Sequence, residues 1–440
     1  MQTSSQLSYT SKPGGPLRGS VQVPGDKSVS HRALLLGAIA NGVTTIRGFL
    51  DSEDTHATRQ VLQMLGITIN DVKGALRVSG NGLHGFQRPS GPLYFGNSGT
   101  SVRLMTGLLA GQAFDTVLTG DESLSKRPMR RVAEPLRLMN ADVETSGTGT
   151  LPITVHGGRQ LHGITYDLPV ASAQLKSALL LAGLCASGRT CVREPAVTRD
   201  HTERMLRHFG CELEVSRGQV CLNSQELSAC DIDVPADISS AAFFMVAALI
   251  TPGSDLVLRR TGINPTRDAV LEILTRMGAD IELENRLELS GEPVADIRVR
   301  HSELTGITIP EALVPIAIDE FPALMVAAAC AAGTTVLTGA AELRVKESDR
   351  IEAVAAGLRA LGISVETYPD GMRVQGGRFE GGEVDSCTDH RIAMAFSVAG
   401  LAAAGPVTIH DCRNVNTSFP GFVDLMRSAG AGLVSSGDDN

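Results

Sequence analysis

One type of segment occurs six times in this chain: a polar or charged opening, an Ala/Leu-rich run, a Gly, and a short β-branched stretch. The openings are Lys27-Ser28-Val29-Ser30-His31-Arg32, Asn97-Ser98-Gly99-Thr100-Ser101-Val102-Arg103, Ser172-Ala173-Gln174, Asp237-Ile238-Ser239-Ser240, Asp319-Glu320 and Asp389-His390-Arg391. They recur irregularly, at roughly 65 to 80 residues, longer than the period of a thin helical solenoid. Between them lies a second helical pattern, at residues 58–66, 130–142, 201–210, 266–280, 350–362 and 422–430. There apolar residues return at i, i+3, i+4 and i+7, and a Gly or Asn sits near each end. A short strand pair usually follows, and Pro369-Asp370-Gly371 is a turn in one of them, with Pro fixing φ and Gly accepting φ > 0. The unit reads β-α-β-α-β-β, so the fold class is α/β, with three units in each of two lobes.

The lobes are expected to be unequal in sequence continuity. Pro24-Gly25 and Pro235-Ala236-Asp237 each interrupt a strand just before a repeat opening. Residues 24–239 then form one lobe, and residues 1–23 with 240–440 form the other, with hinges near 24–25 and 235–240. A chain of 440 residues is in any case too long for one ordinary core.

Composition narrows the function. The net charge of −9 argues against a general binder of nucleic acid or anionic membrane. No apolar run reaches the ~18 residues that span a bilayer. The N-terminal stretch lacks an apolar h-region, so a secretory signal is not expected and the cytoplasm is. The eight Cys include no C-x-x-C pair, and the C-x-x-H spacing of Cys387 and His390 has no second ligand pair. No metal is expected, and the cysteines read as buried reduced thiols.

Yet basic residues gather in the motif segments: Lys27, Arg32, Arg103, Arg127, Arg130, Arg131, Lys176, Arg199, Lys346, Arg350 and Arg391. An acidic protein with a local basic focus suits capture of a small anion. Helix N-termini, with unpaired N–H groups and positive dipole ends, suit the same task. Any one of these charges taken alone reads better as an ordinary solvated surface residue.

The motifs sharpen this. In residues 24–32, Ser28 and Arg32 lie four apart on one helix face beside Lys27, a set that fits a phosphate or carboxylate. Asp26 precedes Lys27 where a P-loop has Gly, so this is not a P-loop. Gly99, in a Gly-rich helix opening, allows close backbone approach to an anion or marks a plain turn. Arg127, ahead of Pro128, is expected to be extended, in the posture of a clamp. Asp319 and Glu320 sit beside an apolar run, and Lys346, Glu347, Asp349 and Arg350 cluster within five residues. A carboxylate among cations serves as acid or base once water is excluded, although Asp349 and Arg350 also read as a capping pair. No Ser-His-Asp or Cys-His arrangement is legible, which disfavours covalent acyl chemistry.

Taken in order, PGDKSVSHR, GNSGTSVR, KRPM, ASAQLKSALLLAGL, TRDHTERML, IDEFP, RVKESDR and DHRIAMA closely resemble the EPSP synthases, the 3-phosphoshikimate 1-carboxyvinyltransferases of the shikimate pathway. The resemblance runs from about residue 14 to 430, and ASAQLKSA and TRDHTE resemble the second, glyphosate-tolerant class. It implies a two-lobed inverse α/β barrel of six β-α-β-α-β-β repeats, closing on substrate. It also implies the reaction. The 5-hydroxyl of shikimate-3-phosphate adds to C2 of phosphoenolpyruvate, and phosphate then leaves the tetrahedral adduct. No cofactor is implied, and the family default is a monomer.

Carried over motif by motif, Lys27, Ser28, Arg32, Ser172, Ala173, Gln174 and Arg199 would meet shikimate-3-phosphate, together with Asp319 and Lys346. Lys27, Gly99, Arg127, Gln174, Arg350 and Arg391 would meet phosphoenolpyruvate. Asp319 would accept the 5-hydroxyl proton, Glu347 would deliver and later remove a proton at the methylene carbon, and Lys346 would assist at the 5-oxygen, with Lys27 also in the catalytic set. The chain departs from the common class where Ala173 replaces a serine, Glu342 an asparagine, and Thr417 a phosphoenolpyruvate-binding lysine. Gly99 is retained and leaves room for glyphosate, so inhibitor tolerance is not assigned.

Three rivals remain in view. UDP-N-acetylglucosamine enolpyruvyl transferases use a loop cysteine before their Arg-Pro, and residues 120–124 here contain none. A non-catalytic anion-binding protein on the same repeats has no need of Asp319 and Glu347 together. RNA-end cyclases are disfavoured by the acidity of the chain.

Overall fold

The computed structural model describes residues 7–437 apart from residue 217. Residues 1–6, which the lobe boundaries and the signal reading include, lie outside the described residues. The described chain forms two compact units. The first comprises Met1–Pro24, Ala236–Leu287 and Pro293–Asn440, and the second Gly25–Pro235 with Glu288–Glu292.

Each of the six openings becomes a helix: Lys27–Ile39, Gly99–Leu109 and Ala173–Gly183 in the second unit, and Ile238–Ile250, Phe321–Cys330 and His390–Ala399 in the first. Five start on a side-chain cap, in which Asp26, Ser98, Ser172, Asp237 or Asp389 accepts a backbone N–H of the first turn. Such caps satisfy donors the helix itself cannot. The sixth, Phe321–Cys330, starts instead with Pro322 near its first position, where a missing N–H costs nothing. Ile238–Ile250 is buried along its whole length, as an all-round apolar helix must be.

The strand after each helix is the organising strand of a sheet, and six sheets result among the described residues. In the second unit, Thr116–Thr119 runs parallel to Leu93–Tyr94, which precedes its helix, and antiparallel to Ile153–His156. Arg189–Arg193 does the same with Thr165–Asp167 and Gln219–Asn223. In the first unit, Val407–His410 runs parallel to Gly382–Asp385. These are β-α-β crossovers, in which a helix spans two parallel strands.

Two repeats break that rule and exchange their incoming strands. Arg18–Val21 precedes helix Lys27–Ile39 but pairs with Asp255–Gly262. Ile232–Asp233 precedes helix Ile238–Ile250 but pairs with Ala40–Arg47. The exchange makes the first unit discontinuous in sequence, whereas the second is continuous over Gly25–Pro235 and adds only Glu288–Glu292. Gly25 lies just past the first exchange, where an added Cβ would sit 2.0 Å from the carbonyl oxygen of Gly48, so no side chain fits.

Each unit has its own apolar core. In the first, Phe243, Phe244, Phe419 and Phe422 pack together, with Phe419 and Phe422 edge-on at 5.4 Å between centroids. In the second, Gly107 lets helices Gly99–Leu109 and Ala173–Gly183 approach closely: a Cβ there would meet the Ala178 carbonyl oxygen at 2.2 Å.

The reading of all cysteines as buried reduced thiols is corrected. Cys191 and Cys221 face each other across neighbouring antiparallel strands and form a disulfide, with Cα atoms 4.1 Å apart. Cys387 is exposed. The register of two strands pairs the sulfurs, and no sequence spacing announces it.

Candidate active site

In the first unit, the acidic and basic motif residues converge on Arg350. Its guanidinium donates to Asp389 from Nε (2.8 Å), to Glu347 from Nη2 (2.7 Å) and to Asp319 from Nη1 (3.3 Å). Lys346 Nζ lies 3.4 Å from the same Asp319 oxygen, and Arg391 Nη1 donates to the Asp319 carbonyl at 3.0 Å. Asp319, Lys346, Glu347, Arg350 and Arg391 thus form one cluster, although they come from three separate segments. Burial alone would lower the affinity of Arg350 for its proton, but the charges of Asp389, Glu347 and Asp319 outweigh it and raise the pKa. Asp349 caps helix Arg350–Ala360, whereas Arg350 is 1% exposed and belongs to the cluster, so the two are not merely a capping pair.

Asp389 was not singled out as a candidate from the sequence. It is fully buried, accepts from Arg350, Ser348 and the backbone N–H of Arg391, and so ties two of the basic residues together. Its place as a helix cap was legible; its partners were not. Glu342 lies in the one-turn 3₁₀ segment Ala341–Val345, and the hydroxyl of Thr417 donates to the Asn414 carbonyl at 2.7 Å.

In the second unit, Gly99, Arg127 and Gln174 meet around Arg103. Arg103 Nη1 donates to Gln174 Oε1 at 2.8 Å and to the Gly99 carbonyl at 3.1 Å, and Gln174 Nε2 donates to Thr100 Oγ1 at 3.0 Å. A Cβ on Gly99 would stand 2.8 Å from Arg103 Nη1 and 3.0 Å from Arg127 Nη1, so the glycine keeps two guanidinium groups close to backbone. Arg127 follows the short helix Glu122–Ser125, is buried, and donates from Nη2 to Asn97 Oδ1 at 2.5 Å.

Lys27, Ser28 and Arg32 share the first turns of helix Lys27–Ile39. Lys27 pairs with Asp54 at 3.0 Å, a partner that no sequence motif marked. Arg32 is buried and donates to Thr202 Oγ1 (2.7 Å), the Ser28 carbonyl (2.9 Å) and Ser177 Oγ (3.0 Å). Its burial pushes its pKa down to about 10, against the opposing charges of Glu203 and Asp26, and the positive charge of Arg199 acts in the same direction as burial. Ser172 caps helix Ala173–Gly183, which places Ala173 and Gln174 in its first turn.

A buried relay braces helices Lys27–Ile39 and Gly99–Leu109 against helix Glu53–Met64. Ser98 Oγ meets His31 Nε2 at 3.3 Å, His31 Nδ1 meets Thr58 Oγ1 at 2.8 Å, and Thr58 donates to Ser101 Oγ at 2.7 Å. Because Thr58 gives its proton to Ser101, the relay assigns the Nδ1–H tautomer to a neutral His31. Burial first, and then the charges of Lys27 and Arg32, push the His31 pKa down to about 3.

Comparison with known proteins places the chain in a family. The profile of the family described as EPSP synthase (3-phosphoshikimate 1-carboxyvinyltransferase) matches residues 11–426. The chain is 61% identical over 424 residues to a 3-phosphoshikimate 1-carboxyvinyltransferase of Methylococcus capsulatus, covering 96% of this chain and 97% of the relative. It is 58% identical to one from Nitrosococcus oceani, covering 97% and 96%. The solved EPSP synthase of Acinetobacter baumannii superposes with a TM-score of 0.88 at 53% identity, covering 98% of this chain and 100% of that one. The enolpyruvyl transferase NikO of Streptomyces tendae shares the fold, with a TM-score of 0.79 at 16% identity and coverage of 98% and 99%. With most of its length matched by the family profile and by relatives well above half identical, this chain belongs to the EPSP synthase family.

Proposed function

We propose that this protein transfers the enolpyruvyl group of phosphoenolpyruvate to the 5-hydroxyl of shikimate-3-phosphate and releases phosphate, a step of the shikimate pathway. The observation that carries the reading is the Asp319–Lys346–Arg350–Glu347 cluster, two carboxylates held by three N–H-bearing contacts among cations. Two carboxylates are what the chemistry asks for, because it moves protons at two atoms. Asp319 takes the proton of the 5-hydroxyl as its oxygen bonds to C2 of phosphoenolpyruvate. Protonated Glu347 delivers a proton to the methylene carbon, giving a methyl group and the tetrahedral adduct. Glu347 then removes a methyl proton as the C–O bond to phosphate breaks, which leaves the enol ether and restores Glu347, while the proton held by Asp319 passes to the departing phosphate and restores Asp319. Lys346, beside Asp319, stabilises charge on the 5-oxygen.

Charge explains the remaining groups. The two substrates together carry about five negative charges at neutral pH. Bringing them together out of water without paired cations is prohibitive. Lys27, Gly99, Arg127, Gln174, Arg350 and Arg391 are assigned to phosphoenolpyruvate. Lys27, Ser28, Arg32, Ser172, Ala173, Gln174 and Arg199 are assigned to shikimate-3-phosphate, along with Asp319 and Lys346. Preorganised cations and proximity then carry most of the rate. The protein is read as a monomeric cytoplasmic enzyme; among the described residues no helix is long and apolar enough to cross a membrane.

A phosphate-release assay tests the reading. Phosphate is expected only when both substrates are present, in amounts equal to the enol ether formed. No release with both substrates at saturation, or release with UDP-N-acetylglucosamine in place of shikimate-3-phosphate, overturns it.

A further inference from the structure

The sequence places Lys176 among the basic residues of the motif segments, but its burial among protein partners keeps it from meeting an anion. It sits two residues past Gln174 on helix Ala173–Gly183 and is 1% exposed. Its Nζ reaches Glu194 Oε1 at 2.9 Å, Glu203 Oε1 at 2.6 Å and the Thr198 carbonyl at 3.4 Å. Thr198 Oγ1 in turn donates to the other oxygen of Glu194. The three contact points bracket Arg199 in sequence: Glu194 and Thr198 stand before it, Glu203 after it. The next residue of the helix, Ser177, bonds Thr202 at 2.7 Å and Arg32 at 3.0 Å. One turn of helix therefore fixes the segment 194–203 from both ends.

This is a costly way to fix a loop. One lysine is shared by two carboxylates out of water, where burial pushes the Glu203 carboxyl pKa up, and Glu203 Oε2 is buried with no hydrogen-bond partner among the described residues. An apolar contact holds a segment more cheaply than a buried ion pair does. What the ionic arrangement adds is direction, since each contact fixes one oxygen against one nitrogen. The segment 194–200 has no helix or strand of its own beyond Arg193, so its course depends on such contacts.

We propose that Lys176 is a positioning residue for Arg199: it holds the segment 194–203 so that the Arg199 guanidinium is presented to the phosphate of shikimate-3-phosphate, without touching the ligand itself. The inference rests on the assignment of Arg199 made under the proposed function.

Steady-state kinetics of the full-length enzyme, with each substrate varied in turn, separate the two. Arg199→Ala is expected to raise the KM for shikimate-3-phosphate. Lys176→Met and Glu194→Gln are each expected to raise it about tenfold, the scale of a binding group displaced by a fraction of an ångström. The KM for phosphoenolpyruvate should stay within about twofold in all three, as the affected guanidinium does not meet that substrate. In the Arg199→Ala background, Glu194→Gln should add nothing, because a residue that acts only through Arg199 has nothing left to act on. Glu194→Gln keeps the Lys176–Glu203 pair and carries the test if Lys176→Met fails to fold. An unchanged KM for shikimate-3-phosphate in Arg199→Ala overturns the assignment of Arg199. A raised KM there, with Glu194→Gln silent or independently additive, overturns the role of Lys176 alone.

Discussion

Glu347 and His31 show what a single side chain decides here. Glu347 is gripped by Arg350 at 2.7 Å on a residue that three carboxylates share. Glu347→Gln keeps the shape and removes the transferable proton. It should fold as the wild type does and lose about 10²- to 10⁴-fold in turnover, the usual range for a general acid–base group. A purified variant with wild-type phosphate release would take Glu347 out of that role. His31 makes a different point. Its folded pKa of about 3 lies well below the ordinary imidazole value near 6.5. The unfolded chain then binds a proton that the folded one refuses. His31 is neutral in both states above about pH 7 and costs nothing there; as pH falls from about 6.5 toward about 3, it withdraws stability at up to about 1.4 kcal/mol per pH unit. Urea unfolding of wild type and His31→Asn at pH 7.5, 6 and 5 checks this, since their difference isolates the histidine from the carboxylates. Equal slopes in the two proteins would contradict the buried neutral assignment. The role of Glu347 follows from the family resemblance, whereas the burial of His31 is not legible in the sequence. In PGDKSVSHR only Lys27, Ser28 and Arg32 read as ligand-binding; the structure adds that His31 braces Ser98 and Thr58, and that Arg32 gives three of its N–H groups to protein oxygens.

At the scale of elements, periodicity and caps placed the helices well. The second helical pattern expected at 350–362 forms Arg350–Ala360, and that at 201–210 forms His201–His208. The one expected at 58–66 starts earlier, at Glu53, because Ser52 and Thr55 make a capping box ahead of the apolar pattern. What periodicity does not carry is how close two helices come. Gly107 reads as a weak point in a helix, yet its missing side chain is the contact with Ala178. Gly107→Ala should therefore destabilise the second unit by about 1–3 kcal/mol, as overpacking against backbone does, despite the better helix propensity of alanine. Thermal unfolding reads this directly, and an unchanged or raised Tm would mean that the two helices part without cost.

At the scale of the whole molecule, two cores and two compact units predict two cooperative transitions rather than one. Calorimetry should resolve them. Shikimate-3-phosphate should raise the transition of the second unit, which carries most of the groups assigned to it, by about 2.7 kcal/mol at a hundredfold excess over Kd. A single transition, with calorimetric and van't Hoff enthalpies equal, would show that the cores unfold together.

The sequence by itself determined the six repeats, the helix openings that carry Lys27, Gly99, Gln174, Asp319 and Arg391, and the kinship with the EPSP synthases. These are local patterns, read within a few residues of one another. The tertiary structure alone decided the partners of the charges: Lys27 with Asp54, Lys176 with Glu194 and Glu203, and Arg32 with Thr202. It also decided the pairing of Cys191 with Cys221 and the exchange of strands Arg18–Val21 and Ile232–Asp233. The reason is range. A helix cap is settled by a neighbour three residues away, whereas Arg32 and Thr202 are 170 residues apart in sequence and meet only once the core of the second unit has packed. Whether a lysine serves a ligand or the fold depends on which carboxylates packing brings to it, and no motif of nine residues contains that information.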